Sequence, residues 1–303
     1  MAKNDDKSKF QWGQFITYVG SFCIIVLLGG LFTAIALGLR PLEQRAAMTV
    51  SLNGPKVEIA WPMNAVTPDG KPSTWLPRSN QEEIQQLVLD ALGDTRQEVF
   101  SAEPLERVSE ALRASGWFDG APAVRRDRGG RIAITGKWRV PGVFVRHKGD
   151  EYLVSWDGKR LPPVRKAGLE RNFRVIMDPA MGPPSFTGNA PDYATAWPGE
   201  DIVASIELIE LMKDKPWFGQ VAGVDVSEYS SKGRLTIITP ESTRVVWGGR
   251  PTKPLIGEVS TAQKLAHLAQ VMHDYKRIDA GYPLIYINSS NLQFDISASA
   301  NNP

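Results

Sequence analysis

Three patterns of hydrophobic and polar positions divide this chain. The first is an unbroken apolar run. No charged residue occurs from Phe10 to Leu39, and the densest part, "FITYVGSFCIIVLLGGLFTAIALGL", covers Phe15–Leu39. A helix needs roughly 20 apolar residues to span the hydrocarbon core of a bilayer. The run therefore predicts a transmembrane helix, the form that satisfies its own backbone groups in lipid.

The second pattern has the helical period. In "QEEIQQLVLDALG" the residues Ile84, Leu87, Val88, Ala91 and Leu92 recur every three or four positions. That predicts an amphipathic helix with Asn80 as its N-cap and Gly93 at its stop. A second helix, "AEPLERVSEALRASG", carries its stripe on Leu105, Val108 and Leu112, with Pro104 in its first turn. Further along, "EDIVASIELIELMKDK" reads as a helix capped by Asp201. "STAQKLAHLAQVMHDY" reads as one capped by Ser260 and Gln263, with Leu265, Leu268, Ala269 and Met272 as its apolar face.

The third pattern alternates with period 2. "APAVRR" and "RIAITGKWRV" flank Asp127–Gly130, which predicts a hairpin. Ile132, Ile134, Trp138 and Val140 share one parity and so one buried face. Arg131, Thr135, Lys137 and Arg139 share the solvated one. After Pro141-Gly142 the apolar parity changes to Val143 and Val145. One extra residue flips every side chain, so a bulge or bend is expected where the chain leaves one sheet for another. Further strands are expected at "VEIAW", "EYLVSW", "VAGVDVS", "RLTIITP", "TRVVWGG" and "YPLIYIN", the last continued by "LQFDIS".

Together these elements predict an α+β fold. They mark a cytoplasmic tail at 1–14, the membrane helix at 15–39, a linker at 40–55, one domain at 56–140, a mixed β-sheet domain with flanking helices at 141–298, and a disordered tail at 299–303.

Composition sharpens the membrane reading. A signal-peptide apolar core is about 7–15 residues, shorter than this run, although "AIA" at Ala34–Ala36 resembles a cleavage site. An uncleaved anchor is therefore expected. Lys3, Lys7 and Lys9 before it against Arg40 and Arg45 after it place the N-terminus in the cytoplasm and the rest outside. The single cysteine, Cys23, lies within the run, so the exported part has no thiol for a disulfide, a nucleophile or a thiolate metal site. Gly30, Ala34 and Gly38 form a small-residue row on one helix face. It suits either close approach of another helix or an ordinary lipid-facing surface. A net charge of +2 lacks the basic excess of a nucleic-acid binder.

Chemical motifs are sparse. His267 and His273 are six residues apart, which does not suit the i, i+4 spacing of a helical metal pair, and His147 lies far away in sequence. His267 is expected opposite the apolar stripe of its helix. Gly248-Gly249 lacks the Lys-Ser/Thr ending of a phosphate loop, and no Gly-x-Ser-x-Gly elbow occurs. No cofactor and no catalytic residue is assigned. Arg125, Arg126, Arg128, Arg131 and Lys137 read as a solvated sheet face, with contact to anionic lipid headgroups as the alternative.

The segment "LERVSEALRASGWFDGAPAVRRDRGGRIAITGKWRVPGVFV", from Leu105 to Val145, resembles a stretch of the FtsQ/DivIB family of bacterial division proteins. Trp117, Val124 with Arg126, and Arg139 with Pro141 carry the likeness. "YLVSWDGKRLP", and "RLTIITPESTRVVWGGRP" followed by Lys264-Leu265, extend it. Lys137-Trp138-Arg139 departs from the family's acidic-Arg pattern, and residues 62–79 look like an insertion. Tyr286 and Asn288 stand where the family often has Asp and Arg. The resemblance implies a POTRA domain beside the membrane, then a β domain. It implies a non-enzymatic, septal inner-membrane scaffold that holds FtsB/FtsL-like partners, with no small-molecule substrate. In such a family a late strand accepts a partner strand, which points to Tyr282, Leu284, Tyr286, Asn288 and Phe294. The competing reading is a membrane-anchored extracytoplasmic enzyme or ligand binder, with the Pro/Gly-rich stretch at 180–200 covering a site.

Overall fold

A computed structural model describes residues 56–63, 65–66, 72–93, 101–127, 130–166, 173–186 and 191–295. The apolar run Phe15–Leu39, with the flanking tail and linker, lies outside these residues. So does the C-terminal tail. Among the described residues no helix is long and apolar enough to cross a membrane. The fold is α+β, with mixed sheets and few helices. The chain divides into two compact units. One contains residues up to Ser109 together with Ala123–Thr135; the other contains Glu110–Pro122 and everything from Gly136 onward.

The first unit is built on a three-stranded sheet. Strand β1 (Val57–Ile59) pairs parallel with β5 (Ile132–Thr135), and β5 pairs antiparallel with β4 (Ala123–Arg126). Helix α1 (Arg78–Leu92) buries Ile84, Val88 and Leu92, three of the positions its period selects. It begins before Asn80: Pro77 stands at the N-cap, and Asn80 is helical and caps nothing. Helix α2 (Glu103–Ala114) follows and is counted with this unit as far as Ser109, with Pro104 in its first turn and Val108 buried. Arg107 donates to the carbonyl oxygen of Ala91 at 3.3 Å, meeting an acceptor that the end of α1 leaves open. A two-stranded hairpin, β2 (Ala65–Val66) with β3 (Pro72–Ser73), occupies the stretch between β1 and α1.

In the β4–β5 hairpin Arg125 and Arg131 face water as the alternation predicts, whereas Arg126, opposite Ile132, is half-buried and Arg128 lies outside the described residues. Arg125 is exposed, and Arg131 pairs with Asp127 at 2.8 Å and Glu58 at 3.5 Å. The expected continuation through Trp138 and Val140 fails. Strand β5 ends at Thr135; Val140 is exposed and Arg139 is buried. Gly136 follows, where a Cβ would come within 2.8 Å of the Phe118 ring. Trp138 stacks against Phe118 at 4.2 Å, and Arg139 turns inward to donate to the carbonyls of Gly116 and Tyr193.

The second unit holds a nine-stranded mixed sheet. In chain order its strands are β6 (Pro141–His147), β7 (Asp150–Ser155), β8 (Arg160–Lys166), β9 (Arg174–Met177), β10 (Gly223–Asp225), β11 (Leu235–Ile238), β12 (Arg244–Gly248), β13 (Leu284–Tyr286) and β14 (Gln293–Asp295). In space they run β14-β13-β12-β11-β10-β9-β6-β7-β8. The parity change after Pro141 has a physical counterpart. The β6–β7 register shifts between Pro141 and Val143, and β6 belongs to a different sheet from β5.

Helices α3 (Glu200–Met212) and α4 (Thr261–Tyr275) contribute to the core of this unit. Val143, Val145, Val224, Ile237, Trp247 and Ile285 join Ile202, Leu208 and Leu268 in one buried cluster. Asp201 does not cap α3. It sits inside the first turn, buried, and its carboxylate accepts from the backbone N–H of Ala180 at 2.8 Å.

Candidate functional site

The late strands are the place to ask whether this sheet can accept another chain. β13 lies between β12 and β14, so it is an internal strand and not the open edge its position in the sequence suggests. Its backbone groups can be followed one by one. Arg244 donates its N–H to the carbonyl of Pro283 at 3.0 Å, and the N–H of Ile287 donates to Val246 at 3.3 Å. Odd-numbered residues of β13 therefore face β12, and Leu284 and Tyr286 face β14.

Leu284 and Tyr286 lie opposite Asp295 and Gln293, while Ile285 lies opposite Phe294. In an antiparallel ladder, bonded and non-bonded pairs alternate. Asp295 and Gln293 thus engage β13, and the N–H and C=O of Phe294 point outward. Among the described residues β14 has a neighbour on one side only.

The five expected contact residues do not form one surface. Phe294 packs on Tyr282 at 4.9 Å and lies 5.9 Å from Tyr275 at the end of α4, giving a half-buried aromatic shelf beside the edge. Leu284 and Tyr286 alternate with the buried Ile285 and Ile287, so their side chains take the other face of the sheet. Asn288 is held from behind, donating to Glu258 at 3.2 Å.

Glu258 is the residue that sequence reasoning missed. Its carboxylate accepts from Lys264 at 2.7 Å, from the N–H of Gly249 at 3.0 Å, from the N–H of Leu255 at 3.1 Å and from Asn288. Burial alone pushes its pKa up. The Lys264 ammonium and the surrounding N–H donors outweigh that and hold it below the usual carboxylate range. Lys264 is fully buried, with its ammonium 5.2 Å from the Trp247 ring centre. Gly248 makes room: its φ is +90°, and a Cβ there would lie 1.8 Å from a Glu258 oxygen.

This network also corrects the expected face of α4. Lys264, His267, Leu268 and Val271 are buried, whereas Ala269 is exposed. His267 is buried because its Nδ1 donates to the carbonyl of Ile287 at 3.0 Å. Two polar side chains thus pin α4 to the end of β13 and to the loop before the helix. The Ser260 cap is as expected, accepting from the N–H of Gln263 at 3.3 Å.

The opposite edge of the sheet is β8. It contains Pro162 and Pro163, which have no N–H to donate, and ends in Arg165 and Lys166. Arg165 turns back onto the sheet, bonding Glu151 at 2.9 Å and covering the Phe144 ring at 3.7 Å.

The described part of the 180–200 stretch is fastened down. The indole of Trp197 is buried and donates to Met181 at 3.0 Å. Asp192 accepts from the N–H groups of Ala194 and Thr195, and the Thr195 bond with these N–H groups holds its pKa low despite burial.

In comparisons with known proteins, no family model and no curated protein matches this chain.

Proposed function

We propose that this protein is a bitopic, non-enzymatic scaffold of the bacterial division machinery that holds FtsB/FtsL-like partners by strand addition. On this reading the run Phe15–Leu39 anchors the chain in the inner membrane and the rest lies outside the cytoplasm. The elements β1, α1, α2, β4 and β5 are assigned to the POTRA-like domain, since their order, apart from the β2–β3 hairpin, is that of the expected module.

One observation carries the proposal. The nine-stranded sheet closes one edge with prolines and leaves the other, β14, with the outward backbone groups of Phe294 beside an aromatic shelf. Backbone hydrogen bonds supply the affinity of strand addition, and side-chain pockets supply its selectivity. The expected contacts shift accordingly, from β13 as the pairing strand to Phe294 on β14, with Tyr282 in its shelf. Leu284 and Tyr286 serve the partner only through the far face of the sheet.

The test is to purify the full-length protein in detergent and to image it in dividing cells. Septal localisation and recovery of small single-span division proteins are expected. A diffuse membrane signal with no such partner recovered contradicts the proposal.

A further inference from the structure

The three strands of the first unit bring basic side chains to one end of their sheet. Strand β1 runs parallel to β5 and starts level with it. Val57 pairs with Ile132, and the N–H of Ile132 donates to the carbonyl of Lys56 at 2.9 Å. On the other side of β5, Arg126 lies opposite Ile132 and Arg125 opposite Ala133. The start of β1, the start of β5 and the end of β4 therefore share one end. Ile132 and Ile134 are buried, so the alternation puts Lys56, Arg125 and Arg131 on the opposite, outer face.

These charges are unevenly answered. Arg131 engages two carboxylates, Asp127 at 2.8 Å and Glu58 at 3.5 Å. Lys56 and Arg125 are exposed and Arg126 is half-buried, and none of the three has an ion pair among the described residues. The cations are spread over neighbouring strands and do not converge on one point. That arrangement suits a surface carrying many negative groups better than a single anion.

We propose that this basic end of the first unit rests on an anionic bilayer, the one that holds the chain's own anchor. The inference rests on the reading of Phe15–Leu39 as a membrane helix. On that reading residues 40–55 are the tether, and the chain enters the unit at Lys56, the end where the cations lie. At roughly 3.3–3.6 Å per residue the tether reaches at most about 55 Å, so this end is the part of the unit that the anchor holds nearest the lipid. Each Lys or Arg near an anionic surface adds to the attraction, which fades within a Debye length.

The test places the full-length protein in lipid nanodiscs of phosphatidylcholine alone, or of phosphatidylcholine and phosphatidylglycerol in equal parts. Phenylglyoxal, an uncharged reagent for guanidinium groups, is applied to both, and the modified arginines are read by mass spectrometry. Arg125 should react at least about threefold more slowly in the anionic discs. Arg78, exposed at the start of α1, should react alike in both. About 1 M salt, with a Debye length near 3 Å, should erase the difference. R125E should return Arg126 and Arg131 to their neutral-disc rates, and the comparison on the unaltered protein decides the matter even if R125E does not fold. Protein that stays with both kinds of disc yet shows equal rates at Arg125 overturns the docking and leaves the anchor standing. Protein that stays with neither overturns the anchored reading, and the docking with it. Slowing that is as large at Arg78, or that appears only when a single-span partner is added, also overturns the proposal.

Discussion

The two edges of the nine-stranded sheet solve the same problem in opposite ways. A sheet edge presents unpaired N–H and C=O groups that invite another strand. At β8 the invitation is withdrawn. Pro162 and Pro163 remove donors, Lys166 pairs with Asp150 in water, and Arg165 folds back over Phe144. At β14 nothing comparable is present among the described residues. Phe294 points its backbone outward and its ring onto Tyr282 and Tyr275. Behind β14, the strand β13 is anchored by Asn288 and Ile287 to a buried network on Glu258 and His267. The difference teaches that an open edge need not be a loose one. The strand that stays open is backed by the most heavily bonded carboxylate described in the molecule.

Removing that backing is the largest change expected. Glu258→Ala leaves Lys264 charged and buried without its partner, which costs about 3–5 kcal/mol for such pairs. Chemical denaturation should show the loss, and hydrogen exchange should place it at β13, β14 and α4 while β8 is unchanged. Acid should act through the same group. Because Glu258 has a lowered pKa when folded, its contribution is present above its ordinary value of 4.5 and is lost as pH falls through the folded value. Glu258→Gln should flatten that acid-side decline in a denaturation series run from pH 7 downward.

Next in size is the edge itself. Phe294→Pro removes the outward N–H, and strand addition should weaken at least about tenfold, or ~1.4 kcal/mol. Phe294→Ala keeps the backbone donor, so a smaller loss is expected in the same co-purification assay. The converse experiment opens the closed edge. A Pro162→Val, Pro163→Thr variant should self-associate with rising concentration in sedimentation velocity, and a variant that stays monomeric would remove the role assigned to the prolines. Smallest is Val164→Thr on β8, where an exposed side chain faces water and stability should stay within about 0.5 kcal/mol.

Much of the fold is legible in the sequence because most elements obey a single period. The stripe of Ile84, Val88 and Leu92 and the alternation of Ile132 with Ile134 are buried as their spacing requires. The parity break at Pro141 marks a real register shift and a change of sheet. What was not legible depends on partners distant in sequence. Arg139 has the parity of a solvated residue, yet it is buried because two carbonyls accept from it. Lys264 and His267 displace Ala269 from the inner face of α4 because Glu258 and the Ile287 carbonyl satisfy them. Strand β8 hides behind its own prolines, the feature that makes it a safe edge. The position of β13 inside the sheet follows from β14, whose three residues, Gln293 to Asp295, give only a faint pattern.

The most direct measurement is hydrogen–deuterium exchange on the full-length protein in detergent, alone and with the small single-span partner that the proposed function expects it to bind. Strand addition at β14 predicts that the Phe294 amide becomes protected on binding while the amides of Arg160–Lys166 do not change. An unchanged Phe294 amide in the bound state, or protection that appears at Arg160–Lys166 instead, contradicts it.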